Sequence, residues 1–247
     1  MSLRYREQGV VAVSQEVSPG FRSGPSMKGR QLSVGPHGRH LVDQRGQPWF
    51  YLADTAWTLF KRLNRQEVED YLQNRVAKGF TIIQAYLLRG LRVPNLYGDL
   101  TVLDGDVTKP NEPFFRNVDY VVERANELGL VMGIVVTYGE HVRQRHTDEQ
   151  VFNPANAFAF GRYIGRRYRD NAVIWLLGGD RKPFEDREVW RAMARGLKEG
   201  SGGSHLVSYH GPGLNPGLTS WLTATTSCSR FRSATMARPA RHRSAKA

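Results

Sequence analysis

Ala172-Val173-Ile174-Trp175-Leu176-Leu177, followed at once by Gly178-Gly179-Asp180, decides how this chain folds. Six apolar residues without a polar break predict a strand buried on both faces, and the run is too short for a core helix. The two glycines predict a sharp turn that hands Asp180 to a cleft instead of to the core. The C-terminal ends of buried parallel strands are where a (β/α) barrel keeps its catalytic groups.

The same alternation repeats on both sides of this stretch. Apolar strands are expected over 49–53, 81–88, 131–137, 172–177 and 206–209. Amphipathic helices are expected between them. Asn64 caps one that runs to about residue 78, with Val68, Tyr71, Leu72 and Val76 on one face. A second spans about 112–128 and stops at Gly129. A third starts at Asn153-Pro154, a cap followed by proline at the first helical position. A fourth spans 186–199 and closes at Gly200-Ser201-Gly202-Gly203. Ahead of them, 32–34 and 40–42 read as a short hairpin around Pro36-His37-Gly38. Such βαβ units imply a parallel sheet. Asp54-Thr55-Ala56-Trp57 stands where a dinucleotide-binding sheet would carry its glycine-rich first turn, so the expectation is a barrel.

The fifth strand ends near His210, which leaves 37 residues. Three more units need roughly 30 residues each, so they do not fit. The expected fold class is therefore α/β of the (β/α)8 TIM-barrel type, incomplete, with about five units. Residues 1–30 read as a disordered leader, with Met27 as a plausible true start, and 31–220 as the partial barrel. Residues 221–247 contain no Asp, Glu, Gly or Asn and show no strand or helix period. They read as an aberrant basic tail, translated out of frame from near Ser220 or Trp221.

The net charge of +12 invites a nucleic-acid reading, but +6 sits in residues 221–247 and +3 in residues 1–31. A nucleic-acid groove would be built into the folded body, with aromatics interleaved for stacking. No nucleic-acid partner is expected. No apolar run approaches the roughly 20 residues that span a bilayer, and no apolar block near the N-terminus suggests a secretion signal. No membrane partner is expected, and cytoplasmic residence is the default. A single cysteine, Cys228, excludes an internal disulfide framework. His141 and His146, like His205 and His210, stand five apart, which fits no familiar metal-ligand spacing. Neither a metal nor another cofactor is expected.

Gly46-Gln47-Pro48-Trp49-Phe50-Tyr51-Leu52-Ala53-Asp54-Thr55-Ala56-Trp57, Lys78-Gly79-Phe80-Thr81-Ile82-Ile83-Gln84-Ala85, Pro94-Asn95-Leu96-Tyr97-Gly98-Asp99, Ile174-Trp175-Leu176-Leu177-Gly178-Gly179-Asp180 and Tyr209-His210-Gly211-Pro212 form a set of segments. Together they resemble the apiosidase-like glycoside hydrolases, family 140. The resemblance covers about residues 31–221 and implies a (β/α)8 barrel that removes a terminal sugar, typically apiose, from a pectic or related polysaccharide. It makes Asp180 the catalytic acid/base. It puts the nucleophile, a glutamate, on a later strand beyond residue 221. Retaining hydrolysis needs two carboxyl groups about 5–5.5 Å apart, so the chain is expected to be inactive alone. The rival readings are a non-catalytic carbohydrate-binding remnant and a gene-calling product without function.

The remaining candidates each have a plain structural reading beside the functional one. Asp180 could be a simple turn residue, with its glycines admitting a sugar ring close to the backbone. Asp54 binds sugar hydroxyls or caps the next turn. Trp57 stacks on a sugar or only packs. Gln84, polar on a buried strand, finds its partner in a ligand or a neighbouring strand. Asn95, Tyr97 and Asp99 wall the cleft or staple their loop. Thr137, Tyr138 and Glu140 follow the third strand, and Glu140 is the in-chain alternative for a second carboxylate. His210 binds sugar, tunes Asp180 or sits on the rim. Substrate-binding roles are expected for Asp54, Trp57, Gln84, Asn95, Tyr97, Tyr138 and His210.

Overall fold

A computed structural model describes residues 24–143, 150–182 and 186–212. Ser33–Val34 (β1), Leu41–Val42 (β2) and Pro48–Trp49 (β3) form a small antiparallel sheet. The main body alternates β4 (Ala53–Thr55), α1 (Leu59–Arg62), α2 (Arg65–Ala77), β5 (Ile82–Leu88), α3 (Glu112–Glu127), β6 (Val131–Thr137), α4 (Pro154–Arg167), β7 (Val173–Leu177), α5 (Arg187–Gly200) and β8 (Leu206–Tyr209). Strands β4 to β8 pair in parallel, in chain order.

That order carries the fold assignment. Each new strand joins the same growing edge, so the winding never reverses, as in a (β/α)8 barrel. A dinucleotide-binding sheet would reverse and open a crevice at the switch point. Among the described residues the sheet has five strands, with β4 and β8 at its edges. The architecture is an incomplete barrel of TIM type.

Side chains alternate between two apolar layers. Ile83, Ala85, Leu87, Met132, Ile134, Val136, Val173, Trp175 and Leu177 meet the helices. Ile82, Tyr86, Val131, Val135, Ile174 and Leu176 point to the concave face. There they join Met27, Leu32 and Leu41, with Trp49 packed alongside, so the antiparallel sheet floors the barrel. Both faces are covered, which explains the unbroken apolar runs of β6 and β7.

The helix starts form as the sequence predicts. Asn64 accepts the Glu67 N–H at 2.9 Å, while the Glu67 carboxylate accepts the Asn64 N–H at 2.8 Å. Asn153 and Asn156 make the equivalent reciprocal pair at α4, ahead of Pro154. The α4–α5 contact depends on glycine. A Cβ at Gly161 would lie 2.5 Å from the Met193 carbonyl oxygen, and one at Gly165 would lie 2.6 Å from that of Leu197. From the other helix, Cβ atoms at Gly196 and Gly200 would run into the carbonyls of Phe158 and Arg162. Beneath α5, buried His205 accepts the Trp175 indole N–H at Nδ1 (2.9 Å). Indole nitrogen only donates, so the ring proton sits on Nε2 and faces the Asn171 carbonyl at 3.1 Å.

Two expectations change. The run 49–53 is not one strand: Pro48–Trp49 belongs to the antiparallel floor and Ala53–Thr55 to the barrel, with Phe50 turned out to solvent between them. One apolar run thus serves two sheets. Residues 24–30, assigned to the leader, hold one buried side chain, that of Met27, among exposed neighbours. Met27 is 2% exposed, and its N–H donates to the Asn126 carbonyl at 2.7 Å. The rest of the leader and the whole of 221–247 lie outside the described residues. Among the described residues no helix is long and apolar enough to cross a membrane.

Candidate active site

Strand β7 ends at Leu177, and the next three residues all take positive φ: Gly178 at 95°, Gly179 at 47° and Asp180 at 70°. Left-handed backbone is unusual for a residue with a Cβ. The surroundings enforce it. The Gly139 N–H donates to the Gly179 carbonyl at 2.9 Å, and the Asp180 N–H donates to the His210 carbonyl at 3.3 Å. The turn is therefore held from β6 on one side and β8 on the other. Both glycines are required for space: a Cβ at Gly178 would lie 2.5 Å from the His210 carbonyl oxygen, and one at Gly179 would strike the Thr137 carbonyl. Their bareness admits the neighbouring strands' backbone, a reason different from the sugar approach expected for them.

The turn presents Asp180 with its side chain 48% exposed. The Tyr86 hydroxyl donates to Oδ2 at 3.0 Å. His210 Nδ1 lies 3.0 Å from Oδ1, at ion-pair distance but without the alignment of a hydrogen bond. Around them Trp57 packs on Tyr86 (centroids 5.1 Å apart) and edge-on to His210 (5.5 Å). Tyr138 meets Tyr86 edge-to-face at 6.0 Å. The Arg89 guanidinium lies over Tyr86 and Tyr138, 5.4 and 6.0 Å from their centroids. Burial, reinforced by the Asp180 charge, raises the Tyr86 phenol well above its ordinary range. It stays a protonated donor.

The structure thus brings Asp180, Trp57, Tyr138 and His210 together at the C-terminal ends of the strands. Other expected site residues are elsewhere. Asp54 lies on β4 and accepts from the Tyr71 hydroxyl at 2.8 Å and pairs with Arg75, both on α2. Burial pushes its carboxyl up, but those two partners outweigh this and hold it low. Gln84 sits on the concave face and donates to the Tyr51 hydroxyl at 2.8 Å, so a floor residue satisfies it. Asn95 staples its own loop: Oδ1 accepts the N–H groups of Tyr97 (2.9 Å) and Asp99 (2.8 Å). That loop holds Tyr97 out, 52% exposed, beside Arg65 and Arg116.

Glu140 is 2% exposed and ion-paired with Arg181, the residue after the acid. Asp186 pairs with Arg143 at 2.9 Å. The carboxylates of the neighbouring turns are therefore committed to arginines. Tyr86 and Arg181 were missed as site residues. Tyr86 lies inside an apolar strand run, where a tyrosine reads as core. Among the described residues no group of three or more His, Cys, Asp or Glu could hold a metal ion.

A parallel sheet wound in one direction like this is shared with solved glycoside hydrolases. A solved glycoside hydrolase is 28% identical, with TM-score 0.69 over 77% of this chain and 43% of that one. A family 5 glycoside hydrolase from Bacteroides vulgatus is 29% identical, with TM-score 0.70 over 78% of this chain and 42% of that one. An exo-β-1,4-mannosidase from an Opitutaceae bacterium, 12% identical with TM-score 0.55 over 72% of this chain and 34% of that one, shares the fold alone. The chain spans less than half the length of these structures. Residues 36–235 match the apiosidase-like catalytic domain, and the chain belongs to that family. No curated protein matches it in sequence.

Proposed function

We propose that this chain carries the acid/base half of a retaining, exo-acting glycosidase site that removes a terminal, apiose-like sugar from pectic or related polysaccharide. One observation carries the reading: Asp180 is forced out of the β7 turn at φ 70° into an aromatic corner while its carboxylate stays open to solvent. In the first step its proton passes to the glycosidic oxygen as the bond to the anomeric carbon breaks. A second carboxylate takes that carbon as an ester. Asp180, now a base, then takes a proton from the water that hydrolyses the ester. The family resemblance puts the second carboxylate beyond residue 221.

The commitment of Glu140, Asp186 and Asp54 to arginines favours a narrower statement about the described body: it binds saccharide without cleaving it. Calorimetry with pectic oligosaccharides, alongside an assay for released sugar, tests this. Binding that Asp180→Asn weakens several-fold, with no sugar released, is the expected result. Binding indifferent to that substitution would refute the role of Asp180. Sugar release by the 247-residue chain would refute its dependence on an external carboxylate.

A further inference from the structure

We propose that Tyr86 is the positioning residue of Asp180, anchoring Oδ2 so that Oδ1 is the oxygen that exchanges its proton with substrate. This rests on the acid/base reading above. The two carboxylate oxygens of Asp180 differ. Oδ2 accepts a directional hydrogen bond from a phenol that is itself buried and enclosed by Trp57, Tyr138 and the Arg89 guanidinium. A proton placed on Oδ2 would compete with that bond and point at the phenol oxygen. Oδ1 makes no aligned bond and lies 3.0 Å from His210 Nδ1.

The charged and titratable groups around Asp180 leave Tyr86 as its aligned side-chain partner. From β5 comes Tyr86, and from just after it Arg89, which lies over the Tyr86 ring. From the turn after β6 come Tyr138, edge-on to Tyr86, and Glu140, neutralised by Arg181 of the acid's own turn. From the end of β8 comes His210, in contact but not aligned. The Tyr86 phenol spends its single proton on Oδ2, and a donor of this kind favours the carboxylate over the acid. It steadies the charge that remains once the proton has left, and it stops the side chain from rotating.

Carboxyl-¹³C NMR of the 247-residue chain carrying labelled aspartate tests this without needing turnover. In Tyr86→Phe, the Asp180 carbon is expected to change shift at neutral pH, because the directional bond to Oδ2 is gone. The signals of Asp54 and Asp186, paired with arginines elsewhere, should hold still. An Asp180 signal indifferent to Tyr86→Phe overturns the proposal. If that variant loses the fold, Asp180→Asn in a chain labelled at tyrosine Cζ puts the question from the other side. The Tyr86 phenol must then titrate at lower pH, and an unchanged titration overturns the proposal equally. Saccharide binding that ignores Asp180→Asn sinks the functional reading instead, so the two failures are distinguishable.

Discussion

Of the contacts among the described residues that bring backbone against backbone through glycine, two serve different ends. Between α4 and α5, Gly161, Gly165, Gly196 and Gly200 lie inside regular helices, and their missing side chains let the two helices touch main chain to main chain. In the turn after β7, Gly178 and Gly179 are just as crowded but also take positive φ, and they are followed by a charged residue in the same conformation. The helix pair gains close packing and displays nothing. The turn accepts an unfavourable backbone, costing about 1–3 kcal/mol for a residue such as Asp180, and displays a carboxylate. Tight packing alone marks structure; tight packing together with strain and an exposed charge marks the site.

Substitution separates the two. Gly196→Ala drives a methyl group into the Phe158 carbonyl between two helices that cannot part locally. It should cost about 3 kcal/mol, lowering the thermal midpoint by roughly 6–10 °C. A smaller loss would mean that the helix pair yields more readily than its geometry indicates.

Acid probes the helix side without mutation. Burial pushes His205 down to about 4, from the ordinary histidine value of 6.5. The unfolded chain therefore binds a proton between those values that the folded chain refuses. The stabilising effect of keeping His205 neutral is complete above pH 6.5 and is lost as pH falls toward 4, by roughly 2–3 kcal/mol. Urea midpoints across that window should fall with acidification, and His205→Gln should flatten the slope. A slope unchanged in the variant would assign the effect to other groups.

Gly179→Ala tests the turn. Its Cβ would strike the Thr137 carbonyl as closely as one at Gly196 strikes that of Phe158, so it should cost a similar amount, about 3 kcal/mol, and it should move Asp180 away from Tyr86. Saccharide binding that survives Gly179→Ala unchanged would break the distinction between the two contacts.

Much of the frame was legible. Runs rich in apolar residues gave β6 and β8 at their observed limits, and Asn64 and Asn153-Pro154 marked helix starts that the structure caps as expected. Where one run fed two sheets, at 48–55, pattern could not divide it, because both halves are apolar and extended. The site was half legible. Asp180 stood out because a charge follows glycines after a buried strand. Of its neighbours, His210 was expected, and the parallel register of Leu177 with Tyr209 brings it beside Asp180 across the 29 residues between them; Tyr86 was not, because a tyrosine inside an apolar strand run reads as core. Asp54 turned on alternation: with Ala53 packed on the concave side, the next residue must face α2.

The floor of the barrel has a bearing on how the molecule is made. Met27 and Ser26 bond the carbonyl of Asn126, Gly29 bonds that of Asp170, and Gln31 bonds those of Arg169 and Asn171. These residues precede the α4–β7 connection that completes their seat by some 140 residues. The segment stays unpartnered while the walls rise, and docking it is a late, long-range event of the kind that slows folding.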